Sequence, residues 1–156
     1  MTGGVQRQIP VAEIGQAMSA LADTFINESL EWELKQCADV CRREIAGNYD
    51  RGGSALGAWP PHAPATVARY GPHPLLILSG DMQAASVQQG AKGHIEQIND
   101  RQLTMGVDAS TGGIIYAMAQ QFGHGRIPPR PFIVIGDEAI QQCKNIVTVG
   151  MHTRLW

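Results

Sequence analysis

Between residues 47 and 74, ten positions are glycine or proline: Gly47, Gly52, Gly53, Gly57, Pro60, Pro61, Pro64, Gly71, Pro72 and Pro74. Proline lacks a backbone donor and fixes φ, and glycine loses the most backbone entropy on folding, so no long helix or continuous strand runs through such a stretch. It divides the chain into a helical first third and a strand-rich remainder, and is expected to be a long Gly/Pro-rich loop. A loop of that length inside a compact domain is uncommon and usually functional. Within it only 65–70 read as a helical turn, with Pro64 leading in, where a missing N–H costs nothing.

Ahead of that segment the apolar spacing is helical. Val11, Ile14, Met18, Leu21 and Phe25 form one stripe, and Leu30, Leu34, Cys37, Cys41 and Ile45 form a second. Glu31 with Lys35, and Asp39 with Arg43, place acid before base at i,i+4 on the opposite face. Gly47-Asn48 is the expected helix stop. These stripes need a partner, and with no third strong stripe nearby that partner should be a sheet. The stretches 84–89, 93–98 and 102–107 are strand-length, separated by Gly90-Ala91-Lys92-Gly93 and Asn99-Asp100-Arg101, which have turn chemistry. Leu103, Met105 and Val107 alternate onto one face.

The remaining stretches are shorter. Residues 75–78 read as a short buried run, Ser79-Gly80-Asp81 as a turn or cap, and 114–121 as a strand end or a helical turn. Three prolines make 127–132 rigid and extended. A final helix is expected from Asp137 to about Val147, with Ile140 and Cys143 or Lys144 inward, followed by a short tail over 150–156. The fold class is α+β: N-terminal helices on an antiparallel sheet, a long loop at 47–74 and a C-terminal helix, in a single domain over 1–156.

Composition narrows the function. A chain of 156 residues has the length of one domain. Its apolar runs fall short of the about 18 residues that a membrane span needs, and its N-terminus lacks a signal peptide's apolar region, so cytosolic folding without a membrane partner is expected. Three cysteines, two of them Cys37 and Cys41, suit a reducing compartment. With net charge −2 and Arg42-Arg43 as the densest basic cluster, a dedicated nucleic-acid module is not expected. Charged residues make up 17%, below the roughly 25% usual in soluble domains, which hints at surface covered by partners.

No catalytic motif emerges. The five histidines, at 62, 73, 94, 124 and 152, form no His-x-x-x-His pair, and there is no Cys-x-x-Cys, nucleophile elbow or phosphate loop. Cys37 and Cys41 share a helix face, as a metal pair would, but small apolar residues in a buried stripe account for them more simply. His124 with Asp108 and Ser110, or His62 with Asp81, would be needed for an enzyme, and no spacing favours either set. No catalytic, cofactor or metal residue is therefore assigned. Trp59 reads either as core filling under the loop or as something more specific, Phe122 and Phe132 read as core, and Arg126 and Arg130 as poor core residues suited to pairing with carboxylates across a contact.

Four segments resemble the phage virion morphogenesis family, the tail-completion proteins of Mu-like and P2-like tailed phages. Trp59-Pro60 followed by Pro64-Ala65-Thr66 matches its Trp-Pro loop and Pro-x-Thr. Ile77-Leu78-Ser79-Gly80-Asp81-Met82 matches its Ile-Leu and small-Gly-x-Leu turn, with Met in place of Leu. Tyr116-Ala117 with Gln121-Phe122-Gly123, then Ile127-Pro128-Pro129-Arg130-Pro131-Phe132, complete the set. Order and approximate spacing agree from about residue 10 to 147, while the C-terminal tail matches nothing in the family pattern.

The resemblance implies a structural, non-enzymatic virion protein without cofactors, assembled in the host cytoplasm. It would form a ring of six copies at the head-proximal end of the tail, capping the tail tube and joining the neck. Its partners would be copies of itself, the tail tube protein, head–tail connector or neck proteins and the tail sheath, with DNA passing through the ring unread. Trp59, Pro60, Arg126, Arg130, Phe132 and Trp156 are the expected interface residues, since aromatic and Arg anchors dominate interfaces. The alternatives are a head-side connector or adaptor and, in another class, a small cytosolic enzyme using His124 and a carboxylate.

Overall fold

The computed structural model describes residues 28–108 and 116–155, together with Gln16, Ser19, Asp23 and Asn27, which are helical and exposed. The stripe from Val11 to Phe25 lies outside the described residues. The second stripe forms helix α1, Glu31–Arg51. Glu31 and Glu33 at its start and Arg51 at its end complement the helix dipole. It passes through the expected stop at Gly47-Asn48 and ends on Gly52, whose φ of 63° is the left-handed conformation of a C-terminal cap. The reason is tertiary: Asn48 is buried and its amide bonds a distant segment, so it cannot cap its own helix. The Glu31–Lys35 pair forms at 2.7 Å, but Asp39 pairs with Arg42 and not with Arg43.

The expected loop contains regular structure. A small hairpin, β1 (Gly53–Ser54) and β2 (Gly57–Ala58), pairs Gly53 with Ala58. A β-carbon on Gly53 would lie 2.8 Å from the Gly57 carbonyl oxygen, so glycine is what lets the two strands close. Helix α2, Pro64–Tyr70, follows with Pro in its first turn, as the sequence leads one to expect. The run at 75–78 is irregular; Leu75, Leu76 and Ile77 pack against the core while Leu78 points outward.

Of residues 84–89, expected as a strand, 84–87 belong to helix α3, Asp81–Val87, and Gln88 caps it. Gly80, at φ 88°, turns the chain into it, Met82, Ala85 and Ser86 share a buried face at i, i+3 and i+4, and Ser86 Oγ donates to the Met82 carbonyl at 2.7 Å. Only two strands of the expected meander remain, β3 (His94–Ile98) and β4 (Leu103–Val107), antiparallel with Glu96 opposite Met105. Asn99 Oδ1 accepts the N–H groups of Arg101 and Gln102 at 3.0 and 2.9 Å, which fixes the turn. Residues 117–122 form helix α4, Ala117–Phe122, and the last helix, α5, spans Asp137–Leu155, well past Val147 and through most of the expected tail.

Helices α1 and α5 run antiparallel. Glu33 meets Gly150, Cys37 and Cys143 exchange weak S–H bonds to each other's carbonyls at 3.8 and 3.9 Å, and Glu44 approaches Gly136. Ala139 and Gly150 are buried and Cys143, one of the two alternatives expected inward, faces α1, whereas Ile140 and the other alternative, Lys144, are exposed. The main core lies on the other side of α1, where Ile45, Tyr49, Trp59, Met82, Ala85, Ala117 and Phe132 pack together. Tyr49 meets Trp59 edge-on with ring centroids 5.7 Å apart. Because Ser86 gives its hydroxyl hydrogen to Met82, the Tyr49 hydroxyl is the donor to Ser86 at 3.1 Å.

Candidate functional site

Three segments far apart in sequence meet around Arg130. Its Nε donates to the Pro60 carbonyl and its Nη2 to that of Pro61, both at 2.8 Å, and Nη1 donates to Gln120 Oε1 at 3.0 Å. No carboxylate is among these partners; burial alone lowers the guanidinium pKa from its ordinary value, and three neutral acceptors replace its water. The guanidinium thus ties the Trp59 loop to α4 and to the Pro-rich arm from 126 to 135.

That arm cannot pair as a strand, because prolines remove its donors, so side-chain amides satisfy its backbone. Gln121 Oε1 accepts the N–H groups of Phe132 and Ile133, each at 3.0 Å. Asn48 Nδ2 donates to the carbonyls of Phe132 and Val134 at 3.0 Å, and Trp59 Nε1 donates to Pro131 at 3.1 Å. Gly123, at φ 78°, ends α4 where a β-carbon would lie 3.1 Å from Pro129 Cδ.

The expected interface residues divide sharply. Trp59, Arg130 and Phe132 are only 5, 6 and 1% exposed, so they act inside the subunit, and Arg130 is a core residue after all. Pro60 is half-buried, Arg126 is exposed, and Trp156 lies outside the described residues. Phe122, expected in the core, is 69% exposed. The roles of Asn48 and Gln121 are not legible in the sequence, because each amide finds its partners by tertiary packing.

Beside the arm lies an open cleft of about 570 Å³ between α2, residues 76–80 and residues 126–130. His62 and His73 line it with ring centroids 4.2 Å apart and planes tilted by 37°, and His62 Nε2 lies 3.2 Å from the His73 carbonyl oxygen. Asp81, the acid considered with His62, accepts instead from Ser79. His124 is exposed in a tight turn closed by its backbone bonds with Ile127, and Ser110 lies outside the described residues.

No family model, curated protein or solved structure matches this chain.

Two further polar clusters lie within the fold. Arg42 bridges Asp39 and Glu96, while Gln89 donates to Glu96 at 2.6 Å and His94 Nε2 approaches it at 3.3 Å. Burial pushes the Glu96 carboxyl up, but Arg42, Gln89 and His94 together hold it below the ordinary carboxylate range. At the α1–α5 seam, burial pushes the Cys37 thiol up to about 12 and the Cys41 thiol to about 11, with Cys143 adding to both. Such thiols stay protonated near neutral pH and are poor nucleophiles. Among the described residues, no group of three or more His, Cys, Asp or Glu is arranged to hold a metal ion, and no helix is long and apolar enough to cross a membrane.

Proposed function

We propose that this chain is a structural virion protein of a tailed bacteriophage: a tail-completion protein that forms a ring at the head-proximal end of the tail and supports head–tail joining. The supporting observation is convergence. Of the four segments that carry the family resemblance, three pack around Arg130, through Pro60 and Pro61, Gln120 and Gln121, and Pro131 and Phe132. The fourth contributes Met82 to the same core, with Ile77 packed against it. Segments singled out by residue pattern, order and spacing along the chain lie together in space, as a shared framework requires. Exposed Tyr70, Leu78, Tyr116, Met118 and Phe122 give the framework apolar surface of the kind that contacts cover.

In this reading the neighbours are further copies of the chain, the tail tube and the neck connector, and DNA passes through the lumen. A chain of net charge −2 has no electrostatic reason to grip it. The test is assembly of the parent phage without this chain, viewed by electron microscopy. Heads and tails should accumulate unjoined, and added purified protein should restore joining. Normally joined particles would overturn the proposal. Antibody label on the head rather than the tail end would move the protein to the connector side.

A further inference from the structure

The cleft and the tip of the β1–β2 hairpin complement each other, and none of the described residues fills the cleft or covers Leu56 at the tip. The cleft has an apolar wall on which Leu78 and Tyr116 are 63 and 62% exposed. Its basic lining is His62, His73, Arg126 and Arg130, and among the described residues no carboxylate lines it, in a chain whose net charge is negative. The Arg130 guanidinium is spent on carbonyls, whereas Arg126 is exposed and forms no ion pair among the described residues. Leu76, in the same wall, has φ 63° and is the one non-glycine residue with positive φ among those described. A bulky residue held there stores strain, and such strain concentrates at ligand clamps and switch regions.

The hairpin tip has the opposite character. Leu56 is 74% exposed, more than any other large hydrophobic residue described. A β-carbon on Gly136 would lie 3.3 Å from Glu44 Oε1 and 3.4 Å from Ala55 Cβ, which places the tip beside Glu44 and the start of α5. Asp137 and Glu138 follow there, both exposed. The nearby cation, Arg51, is paired with Glu44 at 3.3 Å. The knob is aliphatic with an acidic collar; the cleft is apolar with a cationic lining.

We propose that the hairpin tip of one copy seats in the cleft of the next, Leu56 against Leu78 and Tyr116, with the acidic start of α5 facing Arg126. Such a contact joins two different patches, so repetition closes a ring or runs on as a filament. The proposal rests on the ring reading above for closure, and it deepens that reading by naming the surfaces.

Light scattering on a sizing column tests it with the full-length chain. Wild type should elute at a whole multiple of 16.8 kDa. Leu56→Asp, which spoils only the knob, and Leu78→Asp/Arg126→Glu, which spoils only the cleft, should each be monomeric, with association weakened at least about tenfold. All three positions are exposed, so unchanged far-ultraviolet circular dichroism should certify the fold. Mixed in equal amounts, the two variants should form a heterodimer, because one intact knob then meets one intact cleft and the chain of contacts stops. An oligomer that persists in both variants would overturn this interface and leave the ring reading standing. A mixture that stays monomeric, or a wild type monomeric at every concentration, would also overturn it, and the head-joining assay would then decide the tail reading separately.

Discussion

Gly150 and Glu96 show how single residues take their meaning from a neighbour. Glycine inside an exposed helix usually gains about 1 kcal/mol on replacement by alanine. At Gly150 a β-carbon would lie 2.2 Å from Glu33 Oε1, and Glu33 is a buried carboxylate paired with Arg154. Gly150→Ala should therefore destabilise, by about 1–3 kcal/mol as overpacking does. In urea titrations the Glu33→Ala/Gly150→Ala double variant should lose less than the sum of its singles, because Glu33→Ala opens the space. Glu96 carries the pH prediction. Its folded pKa is depressed below 4.5, so its contribution is fully present above that value and is lost as pH falls through the folded pKa. Glu96→Gln should lower stability at pH 7 by about 1–3 kcal/mol, by leaving the largely buried Arg42 with Asp39 as its one remaining carboxylate partner. Thermal melts from pH 7 down to pH 3 should show the gap between wild type and variant closing below about pH 4.5.

At the scale of elements, the Pro-rich arm is the segment that propensity alone would leave unattached. Gln121→Ala removes the acceptor shared by the Phe132 and Ile133 N–H groups. Each orphaned buried donor costs about 1–3 kcal/mol, so a total loss of about 2–4 kcal/mol is expected, together with faster hydrogen exchange at those two amides. Unchanged exchange would mean that the arm is held by apolar packing. The α1–α5 seam makes a separate prediction. With their thiols pushed up by burial, Cys37 and Cys41 should resist alkylation at pH 8 in the folded protein and react fully in denaturant, read by intact mass.

For the molecule as a whole, the residues that hold the fold and those available to partners are separate sets. Trp59→Phe keeps most of the packing but removes the bond to the Pro131 carbonyl, and should cost about 1 kcal/mol or more without changing the mass in solution. Leu56→Asp should change the mass in solution and lower stability only through the lost association, so that its melting temperature no longer depends on concentration, because Leu56 is exposed at the hairpin tip. Calorimetry and light scattering on the same two proteins would check both halves.

The sequence by itself determined the helical stripe through Cys37, Cys41 and Ile45, the turn at Asn99, the α+β class and the extended arm, because periodicity, turn chemistry and proline act over a few neighbouring residues. It misread 84–89 because a short run does not distinguish period 2 from period 3.6, and Ser86 closes its own helical turn onto Met82. Only the tertiary structure decided that α1 continues through Gly47, that the glycine- and proline-rich segment holds a hairpin, and that Trp59 and Arg130 point inward. The continuation of α1 and the burial of Trp59 and Arg130 go with bonds across 60 or more positions of chain: Asn48 to Phe132, Trp59 to Pro131 and Arg130 to Pro60. Local preference carries no record of such partners; burial selects them when the chain closes on itself.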